Sequence, residues 1–141
     1  MSIREAICED IETVLQNVVG ISYATREPFK FEELSSAQFP ACLIQTVSES
    51  REDITMASGG TKREAILTVQ VVGFVKGASI DTARNSLIDL IEIALESDRT
   101  RDGNALRTQV IAAETDAGSI APYGGVVVTV EIPYIFTSGS P

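Results

Sequence analysis

The 141-residue chain has no histidine, only two cysteines and no unbroken apolar run of membrane-spanning length. Without histidine, the usual general base near neutral pH is missing, and with it a Ser-His-Asp triad and every imidazole metal ligand. Cys8 and Cys42 lie far apart and form neither a zinc motif nor a disulfide framework. Both read as reduced packing residues, one beside the apolar arc of a helix and the other opening a strand. Nor does a charged-then-apolar leader precede the first helix, so the expectation is a soluble protein made in the cytoplasm. Basic charge is scarce: 11 Lys and Arg face 20 Asp and Glu, a net charge of −9. That balance disfavours general attraction to DNA, RNA or an anionic membrane. The longest apolar runs, "AILTVQVVGFV" and "GGVVVTVEIPYIF", are short and interrupted by Gln70, Glu131 and Pro133, so neither crosses a bilayer as a helix.

What is present reads as one globular domain over residues 1–141, with 44% apolar and 22% charged residues. Residues 3–19 place Ile3, Ile7, Ile11, Val14, Leu15 and Val18 on one helical face, opposite Glu5, Glu9, Glu12 and Gln16. Ser2 and Glu5 have capping-box spacing, and Gly20 offers a helix stop. No period persists from Ile21 to Phe39, where "REPFKFEELSSAQFP" mixes aromatics and charges and reads as an extended connector. Residues 41–48 and 64–75 read as strands; in the second, Leu67, Val69, Val71 and Val75 form an apolar face opposite Glu64, Thr68 and Gln70. Between them "SESREDITMASGGTKREA", residues 48–65, is polar and Gly-marked, and reads as a long loop.

A second helix spans 80–96, with Ile80, Ala83, Leu87, Leu90, Ile91 and Ala94 on one face, widened by Ile88 and Leu95. Ile93 falls among Asp89, Glu92 and Ser86; an isolated apolar residue there is either incidental or a subunit contact. "SDRTRDGN" is a charged turn, and "LRTQVIAAET" and "GVVVTVEIPYIFT" are strands joined around "DAGSIAPYGG". Pro133 places the last strand at an edge or at a bulge. The pairs Gly59-Gly60 and Gly124-Gly125 read as turns, since neither links a strand to a helix as a phosphate loop requires. Acidic pairs such as Glu52-Asp53 lack calcium-loop spacing and read as solvated charge. The expected fold is α+β, a largely antiparallel sheet of about four strands with two helices packed on one face. Catalytic residues, cofactor and metal are all expected to be absent.

The element order, the polar stretch between central strands, the helix "IDTARNSLIDLIEIALESD" and the ending "VVVTVEIPYIFTSGSP" resemble the tail terminator, or tail completion, proteins of long-tailed bacteriophages, including the minor tail protein U family. The ending carries Tyr134, Phe136, Gly139 and Pro141. The resemblance implies a homo-oligomer, a hexameric ring that binds the tail tube protein, halts its polymerisation and offers a surface to the head connector or neck protein. It also implies a place at the neck end of the virion tail, with DNA passing through the lumen and no sequence-specific binding.

A ring of identical subunits needs two unlike, complementary patches, for which an exposed sheet edge and the 48–65 loop are the candidates. A loop mobile in the free subunit, at about 1–2 kcal/mol per ordered residue, would settle only against a neighbour. The interface candidates are Arg51, Glu52, Asp53, Lys62, Arg63, Ile93, Glu131, Tyr134 and Phe136. Carboxylates lining a lumen would repel phosphates. The competing readings are another neck or tail component (a head-tail joining protein or a tube subunit), a small α+β module binding a metabolite, and an enzyme working through carboxylates alone.

Overall fold

A computed structural model describes residues 2–57, 60–116 and 122–141. Helix α1 (Ile3–Gln16) begins at Ser2, whose hydroxyl accepts the Glu5 N–H at 3.1 Å. Only half of the expected capping box forms, because the Glu5 carboxylate turns to Arg26, which donates through both terminal nitrogens at 2.6 and 2.9 Å. That pairing holds the Glu5 carboxyl below its usual range. The helix closes at Asn17, short of the expected limit, and Gly20 serves the following turn with φ +109°.

Strands β1 (Tyr23–Thr25), β2 (Ala41–Ala57), β3 (Gly60–Lys76), β4 (Gln109–Thr115) and β5 (Tyr123–Thr137) form a sheet in the order β1-β2-β3-β5-β4, and α2 (Ile80–Ser97) connects β3 to β4. All pairings are antiparallel except β1 with β2, so the α+β expectation holds with one strand more than anticipated. The extra strand is β1, drawn from the stretch read as a connector. It is too short for an alternation pattern to reveal it.

The largest correction concerns the stretch 48–65, whose described residues, 48–57 and 60–65, are strand and not loop. They continue β2 and open β3, pairing residue by residue from Ser48↔Thr68 through Glu52↔Glu64 to Ala57↔Gly60. Polar side chains do not prevent pairing when the backbone ladder is satisfied on both strands and β5 supports the arm as far as Lys62↔Thr137. Gly59 lies outside the described residues, as do residues 117–121 of the connection read around "DAGSIAPYGG".

Gly124 and Gly125 also depart from the expected turn, since both stand within β5. At Gly124 a Cβ would lie 2.5 Å from Ile80 Cγ2, so the missing side chain lets α2 approach the sheet. Pro133 is not on an edge strand, because β5 lies between β3 and β4. Its carbonyl accepts the Leu106 N–H at 2.8 Å, beyond the last β4 pair, Gln109↔Glu131. In an antiparallel strand a residue's N–H and C=O point the same way, so the donor that proline lacks would have faced a position where β4 has already ended.

One face of the sheet carries the core. Ala65, Leu67, Val69 and Val71 of β3 and Val126, Val128, Val130 and Ile132 of β5 are buried with Ile7, Ile11 and Leu15 of α1 and Leu87, Ile91 and Leu95 of α2. Cys8 and Cys42 are free and buried in this cluster, and burial pushes the Cys42 thiol up to about 12. No helix among the described residues is long and apolar enough to cross a membrane.

The "SDRTRDGN" turn contains a device that its composition conceals. Arg101 is wholly buried with φ +48°, followed by Asp102 at +59° and Gly103 at +84°. Its guanidinium donates to the Leu95 carbonyl at 2.5 Å and to the Asp98 carbonyl, and stands 3.1 Å from Asp10 Oδ2. A cation thus meets the unpaired carbonyls at the end of α2 and ties them to α1. The Asp98 carboxylate accepts the Thr100 hydroxyl and the Thr100 and Asp102 N–H groups, which hold its pKa at about 2.

Two outcomes follow. Arg101→Ala strands Asp10 and two carbonyls, and is expected to cost about 3–5 kcal/mol in urea denaturation. In hydrogen exchange, the ladder amides shared by β3 with β2 and β5 between Arg63 and Thr68 are expected to be protected at the level of the strand centres; exchange at loop rates would contradict the paired arm.

Candidate assembly interface

The arm formed by the far ends of β2, β3 and β5 has two unlike faces. On the face shared with the helices, registers bring Asp53, Arg63 and Phe136 into one row and Arg51, Ala65 and Tyr134 into the next. Arg63 Nε lies 2.8 Å from Asp53 Oδ1, and the guanidinium groups of Arg51 and Arg63 stand 4.7 and 5.9 Å from the Phe136 ring centre. Ala65 is small enough to leave room between Arg51 and Tyr134.

Glu49, one row further in, is the centre of this cluster. Its side chain is 6% exposed, it accepts the Tyr134 hydroxyl and Arg51 Nε, and Arg4 of α1 lies 3.7 Å away. A nearly buried carboxylate is stabilised here by two donors and a neighbouring cation, as burial requires. Burial together with the Glu49 contact pushes the Tyr134 hydroxyl up to about 12, so it remains a donor at neutral pH. Charge-pattern reasoning missed Glu49, because residue 49 reaches the helix face only through the register shift between Thr46 and Ser48.

Of the interface candidates, Arg51, Asp53, Arg63, Tyr134 and Phe136 are therefore brought together, but as the packing of the arm itself. Tyr134 is fully buried and Phe136 4% exposed, which places both in the core rather than at a surface available to a neighbour. Glu52, Lys62 and Glu131 belong to the opposite, open face, with Lys62 Nζ donating to Thr137 Oγ1 at 2.8 Å. Ile93 is separate, 69% exposed on the outward side of α2.

Both lateral edges of the sheet are open among the described residues. β1 covers β2 only at Ala41–Leu43, leaving that edge unpaired from Ile44 onward, and nothing pairs with the outer side of β4. Each edge carries β-bulges that turn an aliphatic side chain outward: Val47 and Ile54 sit at the two register shifts of β2, and Ile111 at that of β4, with exposures of 51, 41 and 48%. Bulges at edges re-aim side chains and discourage indiscriminate strand pairing.

The stretch before β2 closes one end of the open face. Phe29 and Phe31 pack on Phe74 at ring-centre distances of 5.6 and 5.0 Å, and Tyr123 meets Phe31 and Phe39. Sequence alone showed aromatics without a period; what joins them is a fold in which distant segments share a sheet end. No cluster of metal-ligating side chains gathers among the described residues.

No family model matches the sequence, and no curated protein matches it. A solved structure is similar in fold: a chain in the virion of a native gene transfer agent particle, 13% identical, with a TM-score of 0.53 and 96% of each chain covered.

Tyr134→Phe removes the hydroxyl that the buried Glu49 carboxylate accepts. It is expected to lower unfolding free energy by about 1–3 kcal/mol in urea titrations, with the fold retained by circular dichroism.

Proposed function

We propose that this chain is a structural component of a phage-like particle, and specifically a tail terminator that forms a ring on the last layer of the tail tube, halts its polymerisation and presents a docking surface to the head. The observation that carries the broader part of this reading is the fold likeness to a virion chain over 96% of both lengths. The finer part rests on the resemblance of the sequence ending and on the two open edges. These edges, β2 and β4, lie on opposite sides of one sheet and differ in length and side chains. They are the unlike patches that head-to-tail association uses, and such association closes into a ring when the rotation between copies permits.

The arm suits this role differently from a mobile loop. A paired arm is already ordered, so a partner that meets it does not have to supply the ordering cost of a free segment. Its bulges set where side chains point along the edge. The virion location, the tube protein and the neck protein as partners, and an unbound passage for DNA belong to the same proposal.

Native mass spectrometry with negative-stain imaging is expected to show a closed ring, and Ile111→Lys on the β4 edge to shift it toward monomer with melting unchanged. In tail assembly reactions, added protein is expected to fix tube length. Longer tubes would identify a tube subunit instead, and an unaltered length distribution would reject both roles.

A further inference from the structure

The open face of the sheet can be mapped by register. Glu52, Glu64 and Ile135 share one row, Ser50, Ile66 and Pro133 the next, then Ser48, Thr68, Glu131 and Gln109, and further along Leu43, Val72, Val127 and Glu114. Glu52 therefore stands directly across from Glu64, a like-charge pair that weakens strand pairing. The ion pairs among the described residues are made by other acids: Arg26 with Glu5, Arg51 with Glu49, Arg63 with Asp53, Arg84 with Asp81 and Asp116, Arg99 with Glu96 and Arg101 with Asp10. None of Glu52, Glu64, Glu114 and Glu131 has a cationic partner among the described residues, and the strand positions between Lys62 and Lys76 on this face contain no Lys or Arg.

These carboxylates are ordered in space. Glu64 on β3, Glu131 on β5 and Glu114 on β4 step across three neighbouring strands, each displaced by four residues along the register, or about 13 Å. Half-buried aliphatic side chains accompany them: Ile66 comes two residues after Glu64 on β3, and Val72 and Val127 share the row of Glu114. At its far end an apolar depression of about 350 Å³ lies over Val72, Phe74, Gly125 and Val127, with Glu114 and Asp116 at the rim. Gly125 keeps it open; a Cβ there would approach Asp116 Oδ2 to 3.3 Å.

We propose that this face is a docking surface for a lysine- or arginine-bearing, partly apolar segment of a different protein, whose cations neutralise Glu64, Glu131 and Glu114 while its aliphatic side chains occupy the depression over Val72 and Val127. Complementary charge selects this occupant. A second copy of the chain, at net charge −9, and a nucleic acid both bring more negative charge to a face that already carries it uncompensated. The inference does not depend on the terminator reading, since any assembly role is compatible with it.

The test uses the full chain labelled with ¹⁵N and, as probe, a synthetic peptide alternating lysine and valine. Amide shifts are expected at Ile66, Val72, Val127 and Glu131, weakening with salt. The triple variant Glu64→Gln, Glu114→Gln, Glu131→Gln is expected to lose affinity about tenfold or more. A triple that removes the same charge from the helices, Glu9→Gln, Asp89→Asn, Glu92→Gln, is expected to stay within about twofold, because it spares short-range complementarity. Equal weakening by both triples, or shifts spread over α1 and α2, would reduce the effect to net charge and overturn the proposal. So would concentration-dependent shifts of this face without peptide, which would assign it to a second copy, or shifts there on adding duplex DNA. A peptide that fails to bind would overturn it as well. If the open-face triple fails to fold, the salt dependence and location of the wild-type shifts decide the matter alone.

Discussion

The structure depends on β3 being paired along its length on both sides, with β2 from Ala41↔Phe74 to Ala57↔Gly60 and with β5 from Lys62↔Thr137 to Lys76↔Tyr123. A strand held in this way cannot slip by one residue without turning Leu67, Val69, Val71 and Val75 from the helices to solvent. Register in turn decides which side chains meet at the arm. Because Arg63 sits between Asp53 and Phe136, and Ala65 between Arg51 and Tyr134, the arm acquires a charged and aromatic interior where its composition suggests only solvated loop.

Bulges then alter the rule of alternation on the flanking strands. The shift between Thr46 and Ser48 leaves Val47 facing out and places Glu49 across from Leu67, on the helix side. A carboxylate is thereby carried toward the core and an aliphatic residue toward water, the reverse of what polarity prefers. The carboxylate is held by Tyr134, Arg51 and the nearby Arg4. The outward aliphatics remain as features of the edges, where an association surface would use them.

Charge also distinguishes the two faces of the arm, whose ion pairs lie on the helix side. Around the helices and turns, arginines meet acids in specific pairs, and Arg101 is buried to hold α1 and the end of α2 together. On the uncovered sheet face acids stand without such partners, and two of them oppose each other. A protein whose only task were to fold would gain from a cation there. Open edges, outward bulge residues and an uncompensated face together favour a molecule completed by others, in keeping with the proposed place in a particle.

Both helices, the buried faces of β3 and β5 and the α+β class were legible in the sequence, because periods of 3.6 and 2 record which side of each element avoids water. Residues 48–57 and 60–65 were misread because polarity reports solvent exposure and not backbone pairing; a strand exposed on its outer face and ionically filled on its inner face has no apolar period. β1 and the aromatic closure at Phe74 were invisible for another reason: their stabilising partners are distant in the chain. The sequence by itself determined which surfaces must be hidden, since burial free energy follows from side-chain chemistry. Only the tertiary structure decided the register, the bulges and the fate of each charge, because these depend on which residues stand opposite one another across strands.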